Sequence, residues 1–160
     1  MYNQQLSTLV VSLVDTDTNR IMANPGEDAG KGSQYIWLSK DTLDFFPPLD
    51  QKNDREKVAE YTLINLNYVD LNEIREERVT YEADNNMDVR LGTGRLRYSK
   101  IAQPGDLACI TRTGVKEYQL RIIQQGSASY DLLKAKATTS IGHKGKKFGF
   151  LDNETFFQII

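Results

Sequence analysis

A mainly β domain with one or two short helices is the fold class this sequence predicts, and three observations carry it. Short runs rich in β-branched and aromatic residues recur along the chain. Several of them alternate apolar and polar with period two, the pattern of a strand with one wet face. Clusters of Gly, Pro and Asn separate the runs and mark turns. The 160 residues fit one domain, 1–160, large enough to bury a core without disulfide or metal staples.

Thr8-Leu9-Val10-Val11-Ser12-Leu13-Val14 is the first strand signal, short and β-branched. Tyr61-Thr62-Leu63-Ile64-Asn65-Leu66 and Arg78-Val79-Thr80-Tyr81-Glu82 alternate. Leu107–Arg112 and Glu117–Ile123 flank Thr113-Gly114-Val115-Lys116, which predicts a hairpin because Gly enters a tight turn cheaply. Ser39 to Phe46 predicts a short helix with Ser or Asp at its N-cap, ended by Pro47-Pro48, which cannot continue it. Asn153–Ile160 predicts a second, terminal helix. Residues 20–34, with three glycines and a proline, and residues 84–95 fit neither pattern. Loops of that length in a compact domain are usually functional or disordered.

Charge is unevenly distributed. Residues 1–94 hold nine Lys or Arg against seventeen Asp or Glu, whereas residues 95–160 hold eleven against five, although the whole chain is only −2. Such asymmetry hints at an anionic partner, with the basic half expected to line one face of the domain. Folding that interleaves the two halves would erase the asymmetry. No apolar stretch approaches the roughly 18 residues of a membrane span, and the start Met1-Tyr2-Asn3 lacks a basic secretory signal. The single Cys109, in an apolar run, predicts a reduced core thiol in a cytoplasmic protein.

Reactive groups are scarce. One Cys and one His cannot build the usual zinc site. A phospholipase-D-type nuclease site needs His, any residue, then Lys, but Gly145 stands two after His143. Gly92-Thr93-Gly94 is too short for a dinucleotide loop, and no P-loop occurs. Asp84 with Asp88 would be the acidic pair of a metal-dependent nuclease. The residues therefore predict no catalytic site and no cofactor or metal. Binding chemistry is better represented. Arg90 and Arg95 bracket a Gly-rich stretch preceded by Asn85-Asn86, and Arg and Asn are the side chains that bond guanine and adenine edges bidentately. Lys144, Lys146 and Lys147 form a basic loop suited to phosphates.

The runs Tyr35-Ile36-Trp37-Leu38-Ser39-Lys40-Asp41, Phe45-Phe46-Pro47-Pro48-Leu49, Arg90-Leu91-Gly92-Thr93-Gly94-Arg95-Leu96-Arg97-Tyr98, Leu120-Arg121-Ile122-Ile123 and Ile141-Gly142-His143-Lys144-Gly145-Lys146 resemble the DNA-recognition domain of BfiI-type restriction endonucleases, a group that includes NgoAVII. A fainter likeness to the EcoRII effector domain covers residues 20–95. The resemblance implies a B3-like fold, a seven-stranded open pseudobarrel with short flanking helices. It also implies a division of labour: a phospholipase-D-like nuclease domain cuts without metal, and this domain, a monomer in isolation, reads double-stranded DNA in the major groove with two arms. The first arm maps to residues 20–34 and carries Arg20, Asn24, Lys31, Ser33 and Gln34. The second maps to residues 84–95 and carries Asn85, Asn86, Asp88, Arg90 and Arg95. Trp37, Arg55 and Arg78 are implied on the concave face between them, with Lys144 and Lys146 clamping phosphates. Met22, Asn24, Glu27 and Asp28 depart from the BfiI pattern, so no target sequence carries over. Two rivals stay open: a stand-alone B3-like transcription regulator and a metal-dependent nuclease.

Overall fold

The computed structural model describes residues 7–27, 32–52, 59–82, 88–142 and 145–160. Their elements run β1 (Ser7–Ser12), α1 (Asp15–Met22), β2 (Tyr35–Ser39), β3 (Gln51–Lys52), β4 (Glu60–Tyr68), β5 (Glu73–Glu82), β6 (Asp88–Gly92), β7 (Leu107–Arg112), β8 (Glu117–Ile123), α2 (Tyr130–Lys134), β9 (Thr139–Ser140), β10 (Lys147–Asp152) and α3 (Asn153–Ile159). The strands form one sheet in the order β2-β6-β5-β4-β8-β7-β1-β10-β9, with β3 beside β4. Among the described strands, only β4 and β8 pair in parallel. The order ends on β2 and β9 without closing, which makes the curled, open half-barrel expected of a B3-like pseudobarrel. Ten strands are bonded in it where the resemblance implied seven; β3 and β9 are two-residue extensions.

Periodicity explains where each strand sits. Strands β1 and β7 lie mid-sheet with both faces covered, so every residue of Leu107–Arg112 is buried and its first four, Leu107 to Ile110, read as a continuous apolar run. Leu9, Val11, Ala108 and Ile110 face the main core inside the half-barrel. Val10, Leu107 and Cys109 face a second cluster closed by Tyr130 and Leu133 of α2 and Phe156 of α3. Each such Val, Leu or Ile contributes roughly 1.5–3 kcal/mol on burial. Burial pushes the Cys109 thiol up to about 12, so it packs as an inert core group. Strand β10 stays tight against this layer because Gly149 has no side chain: a Cβ there would lie 1.8 Å from the Lys136 carbonyl oxygen. Among the described residues no helix is long and apolar enough to cross a membrane.

The expected short helix is present as a 3-10 turn, Lys40–Phe45, with Ser39 Oγ accepting from Asp41 N at 3.1 Å. The hairpin at Thr113–Lys116 joins β7 to β8, closed by Thr113 N to the Glu117 carbonyl at 2.8 Å. Strands β2 and β10 and helix α2 were not expected, and two further elements fall on the long segments read as neither helix nor strand. Helix α1 takes the start of residues 20–34; its Asp-Thr-Asp-Thr-Asn run carries almost no apolar stripe, and it is held by the buried Asp17 carboxylate accepting from Val14 N at 3.0 Å. Residues 88–92 of the second arm are strand β6, because Val89 and Leu91 alternate into the core.

Helix α3 offers a simple check of local chemistry. Asp152 is its N-cap, accepting from Thr155 N at 2.7 Å and Thr155 Oγ1 at 3.0 Å. Those bonds hold the Asp152 carboxyl below its ordinary value of 3.8. A depressed folded-state value stabilises the fold above pH 3.8 and loses that contribution as pH falls below it. Asp152→Ala should therefore lower the thermal midpoint at pH 6, with the gap from wild type narrowing below pH 3.8. A gap that is constant with pH would contradict the capping role.

Candidate nucleic-acid interface

Strands β2, β6, β5 and β4 have one buried and one polar face. Their register puts Trp37 opposite Arg90, Arg90 opposite Thr80 and Thr80 opposite Tyr61. Directly opposed residues share a face, so these four form one row across the polar side. Ile36, Leu91, Val79 and Thr62 form the matching row on the buried side. Tyr35 and Arg78 sit one pleat along the same polar face.

Two arginines of this face are braced by aromatic rings. The Arg78 guanidinium lies 3.9 Å from the centroid of Tyr61, and that of Arg90 lies 4.7 Å from Tyr35. Such stacking is worth roughly 0.5–1 kcal/mol at an exposed site and limits the rotamers each side chain must lose on binding. A cleft of about 790 Å³ opens over the face, and Arg20, Arg78, Arg90 and Arg97 all line it. Its rim includes residues 32–34 and Glu82, Arg90 and Gly92, the described flanks of both proposed arms. Arg20 donates from Nη1 to the Ser33 carbonyl at 3.3 Å, which ties α1 to the first of those flanks. Arg97 donates to the Gly32 carbonyl at 3.2 Å and stacks on Tyr98.

Carboxylates enter the same cleft. Arg90 Nε is 3.5 Å from Asp88 Oδ2, and Nη1 is 3.8 Å from Glu82 Oε1. Asp88 is 4% exposed, so it holds Arg90 from below. Glu77 also lines the cleft and accepts a short hydrogen bond from the Tyr68 hydroxyl. Burial raises the Glu77 carboxyl above its ordinary value, against the opposing pull of Tyr68, the Gly94 backbone and Arg75.

Several residues expected at the interface stand elsewhere. Lys146 does not face solvent: it is 0% exposed, and its Nζ is 2.5 Å from Asp17 Oδ2. Its place is a buried ion pair beside the Trp37 ring, and the phosphate-clamp assignment is corrected accordingly. Burial lowers the Lys146 ammonium, with Asp17 pulling the other way. Gln34 borders the cleft but is buried, and its side chain donates to the Asp17 carbonyl at 2.9 Å. Arg95 is locked bidentately on Glu73, at 2.6 and 2.8 Å, in a neighbouring hollow. Asn24 closes a turn with Glu27 at 2.5 Å and accepts from Lys100. Trp37 is half-buried, packed so closely on Gly142 that a Cβ there would sit 2.4 Å from its ring. Lys31, Arg55, Asn85, Asn86 and Lys144 lie outside the described residues, as do Asp84 and His143. Among the described residues no group of three metal-ligating side chains occurs.

Arg97 was missed, and its only sequence signal is its place just after Gly92-Thr93-Gly94. The charge asymmetry did not locate the site. Three of the four cleft arginines, Arg20, Arg78 and Arg90, come from the acidic half of the chain.

Over residues 2–160 the chain matches the family of the DNA-binding domain of the metal-independent restriction enzyme BfiI. Its fold is similar to the N-terminal domain of Helicobacter pylori LlaJI.R1, with a TM-score of 0.53 and 18% identity over 90% of this chain and 97% of that one. The UbaLAI restriction endonuclease B3 domain, solved with cognate DNA, gives a TM-score of 0.45 and 12% identity over 90% and 86%. No curated protein sequence is a significant match. On the family match, which spans nearly every residue, the chain belongs to the BfiI DNA-binding domains, the non-catalytic, DNA-recognising part of restriction endonucleases.

Proposed function

We propose that this domain reads a specific sequence of duplex DNA through the major groove, on behalf of a separate nuclease domain that cuts. The convergence of Arg20, Arg78, Arg90 and Arg97 on one cleft carries the reading. A major groove about 12 Å wide accepts protein elements and presents a distinct donor and acceptor pattern for each base pair. In this reading the segments 20–34 and 84–95 flank the duplex as two arms, and the polar face of β2, β6 and β5 forms the floor. Arg78 and Arg97 meet phosphates, which position the duplex, and Arg90 meets a base edge. Lys31, Arg55, Asn85, Asn86 and Lys144 are further contacts in the same reading. In the same reading the parent enzyme is of the NgoAVII kind and acts in the cytoplasm, and the isolated domain is a monomer.

Each phosphate neutralised contributes a slope of about −0.9 in log affinity against log salt. Three to five such contacts give a slope of roughly −3 to −5 for a duplex. Fluorescence anisotropy titrations of a labelled duplex from 50 to about 200 mM salt, a span over which such slopes are resolved, measure it. A slope near zero, or tighter binding to single strands or RNA, would sink the reading.

A further inference from the structure

The arginines of the cleft are not held alike. Arg78 rests on the Tyr61 ring and Arg97 on the Tyr98 ring and the Gly32 carbonyl, and among the described residues neither is in an ion pair with a carboxylate. Arg90 lies between two, Asp88 at 3.5 Å and Glu82 at 3.8 Å. One positive and two negative charges at that spacing act, from a Debye length of about 8 Å away, as a single net negative charge. The two carboxylates therefore offset the attraction that Arg90 itself would offer a phosphate, whereas Arg78 keeps its own. Base edges carry no net charge, so this carboxylate screen opposes their acceptor atoms much less than it opposes a phosphate.

The guanidinium keeps the donors it needs for such an edge. It has five N–H groups in a rigid fork, and the two carboxylates lie 3.5 Å from Nε and 3.8 Å from Nη1 as ion pairs, with Nε in no hydrogen bond among the described residues. The Tyr35 ring fixes the plane of the fork. Asp88 Oδ1 is buried with no hydrogen-bond partner among the described residues, so its charge is not spent on another donor there.

We infer that Glu82 and Asp88 are specificity-determining residues that act through charge: they exclude the DNA backbone from Arg90 and reserve its guanidinium for a base edge. This inference rests on the duplex-reading function proposed above.

The test compares wild type, Glu82→Gln, Asp88→Asn and Glu82→Asp on two duplexes. One is selected by wild type from a random library and the other is a scrambled duplex of equal length. Removing one carboxylate lets Arg90 take a phosphate. Glu82→Gln should bind the scrambled duplex roughly 3- to 8-fold more tightly at low salt, with a salt slope steeper by about one unit. Discrimination between the two duplexes should fall by a similar factor. Asp88→Asn should do the same, and Glu82→Asp, which keeps the charge, should behave as wild type. Thermal unfolding of each variant shows whether it is folded. An unchanged ratio with unchanged slope in the folded Gln and Asn variants would overturn the screen. So would loss of affinity for the selected duplex with preference relaxed at one base pair, which would make Glu82 a base reader in its own right. If wild type itself does not separate the two duplexes, the duplex-reading function fails first, a result distinct from either.

Discussion

Lys146→Ala is expected to destabilise the domain by about 3–5 kcal/mol, the range for removing one partner of a buried ion pair, and to leave the salt dependence of DNA binding unchanged. The Lys146 ammonium is fully enclosed and Asp17 holds it at 2.5 Å. Asp17 also accepts from Val14 N at 3.0 Å and Trp37 N at 3.2 Å. It thereby ties the start of α1, strand β2 and the loop before β10 into one polar knot. Deleting the lysine leaves a buried carboxylate without its counter-charge, and a domain of ordinary stability, about 5–15 kcal/mol, loses a large share of it. The double variant Asp17→Asn with Lys146→Met removes both charges and should recover part of the loss, since buried pairs gain little net energy over apolar or neutral replacements. Urea unfolding measures the stability and anisotropy measures the slope. A loss under about 1 kcal/mol, together with a salt slope shallower by about one unit, would restore Lys146 to the interface as a phosphate clamp.

The second large effect concerns base reading. Arg90→Ala should cost about 1–3 kcal/mol on the preferred duplex and relax preference at one base pair, as expected for loss of a bidentate arginine. Arg90→Lys keeps the charge but not the fork, so it should lose nearly as much discrimination while binding scrambled duplexes about as well as wild type. Arg78→Ala should differ in kind: it weakens every duplex alike and reduces the salt slope by about one unit. Titration of the three variants against the preferred site and its single-base changes separates them. Full retention of the wild-type discrimination profile in Arg90→Ala would mean that its pairing with Asp88 and Glu82 is purely structural.

Much of the sheet was legible because the sequence obeys simple periods. The run Leu107-Ala108-Cys109-Ile110 is apolar throughout because β7 is covered on both faces, and Arg78–Glu82 alternates because β5 is covered on one. The gaps have equally physical causes. Strand β6 has only Val89 and Leu91 to show its period, set among Asp, Arg and Gly, so it read as loop. Helix α1 is short and polar, and its support comes from tertiary bonds that Asp17 makes with Trp37 and Lys146. The basic loop misled for the same reason. Nothing local shows that Lys146 turns inward to a carboxylate 129 residues earlier in the chain. Arg90 was legible from the Gly-rich stretch and Asn pair beside it, whereas Arg20 and Arg78 were legible as interface candidates only through the family resemblance, since exposed arginine is common. That Ser33, Gln34, Glu82 and Arg90 border one cleft emerges only once β6 is placed between β2 and β5.

The most direct test of the reading face is an NMR titration that follows the arginine Nε–Hε resonances of the domain with a duplex selected from a random library. The account predicts that the signals of Arg20, Arg78, Arg90 and Arg97 move, and that Arg90 alone responds differently when the selected site is replaced by a scrambled one. Arg121, which packs over Phe156 and Phe157 of α3, should stay in place. Shifts concentrated on Arg121 and on Arg112, with the four cleft arginines unmoved, would place the DNA on another surface and contradict it.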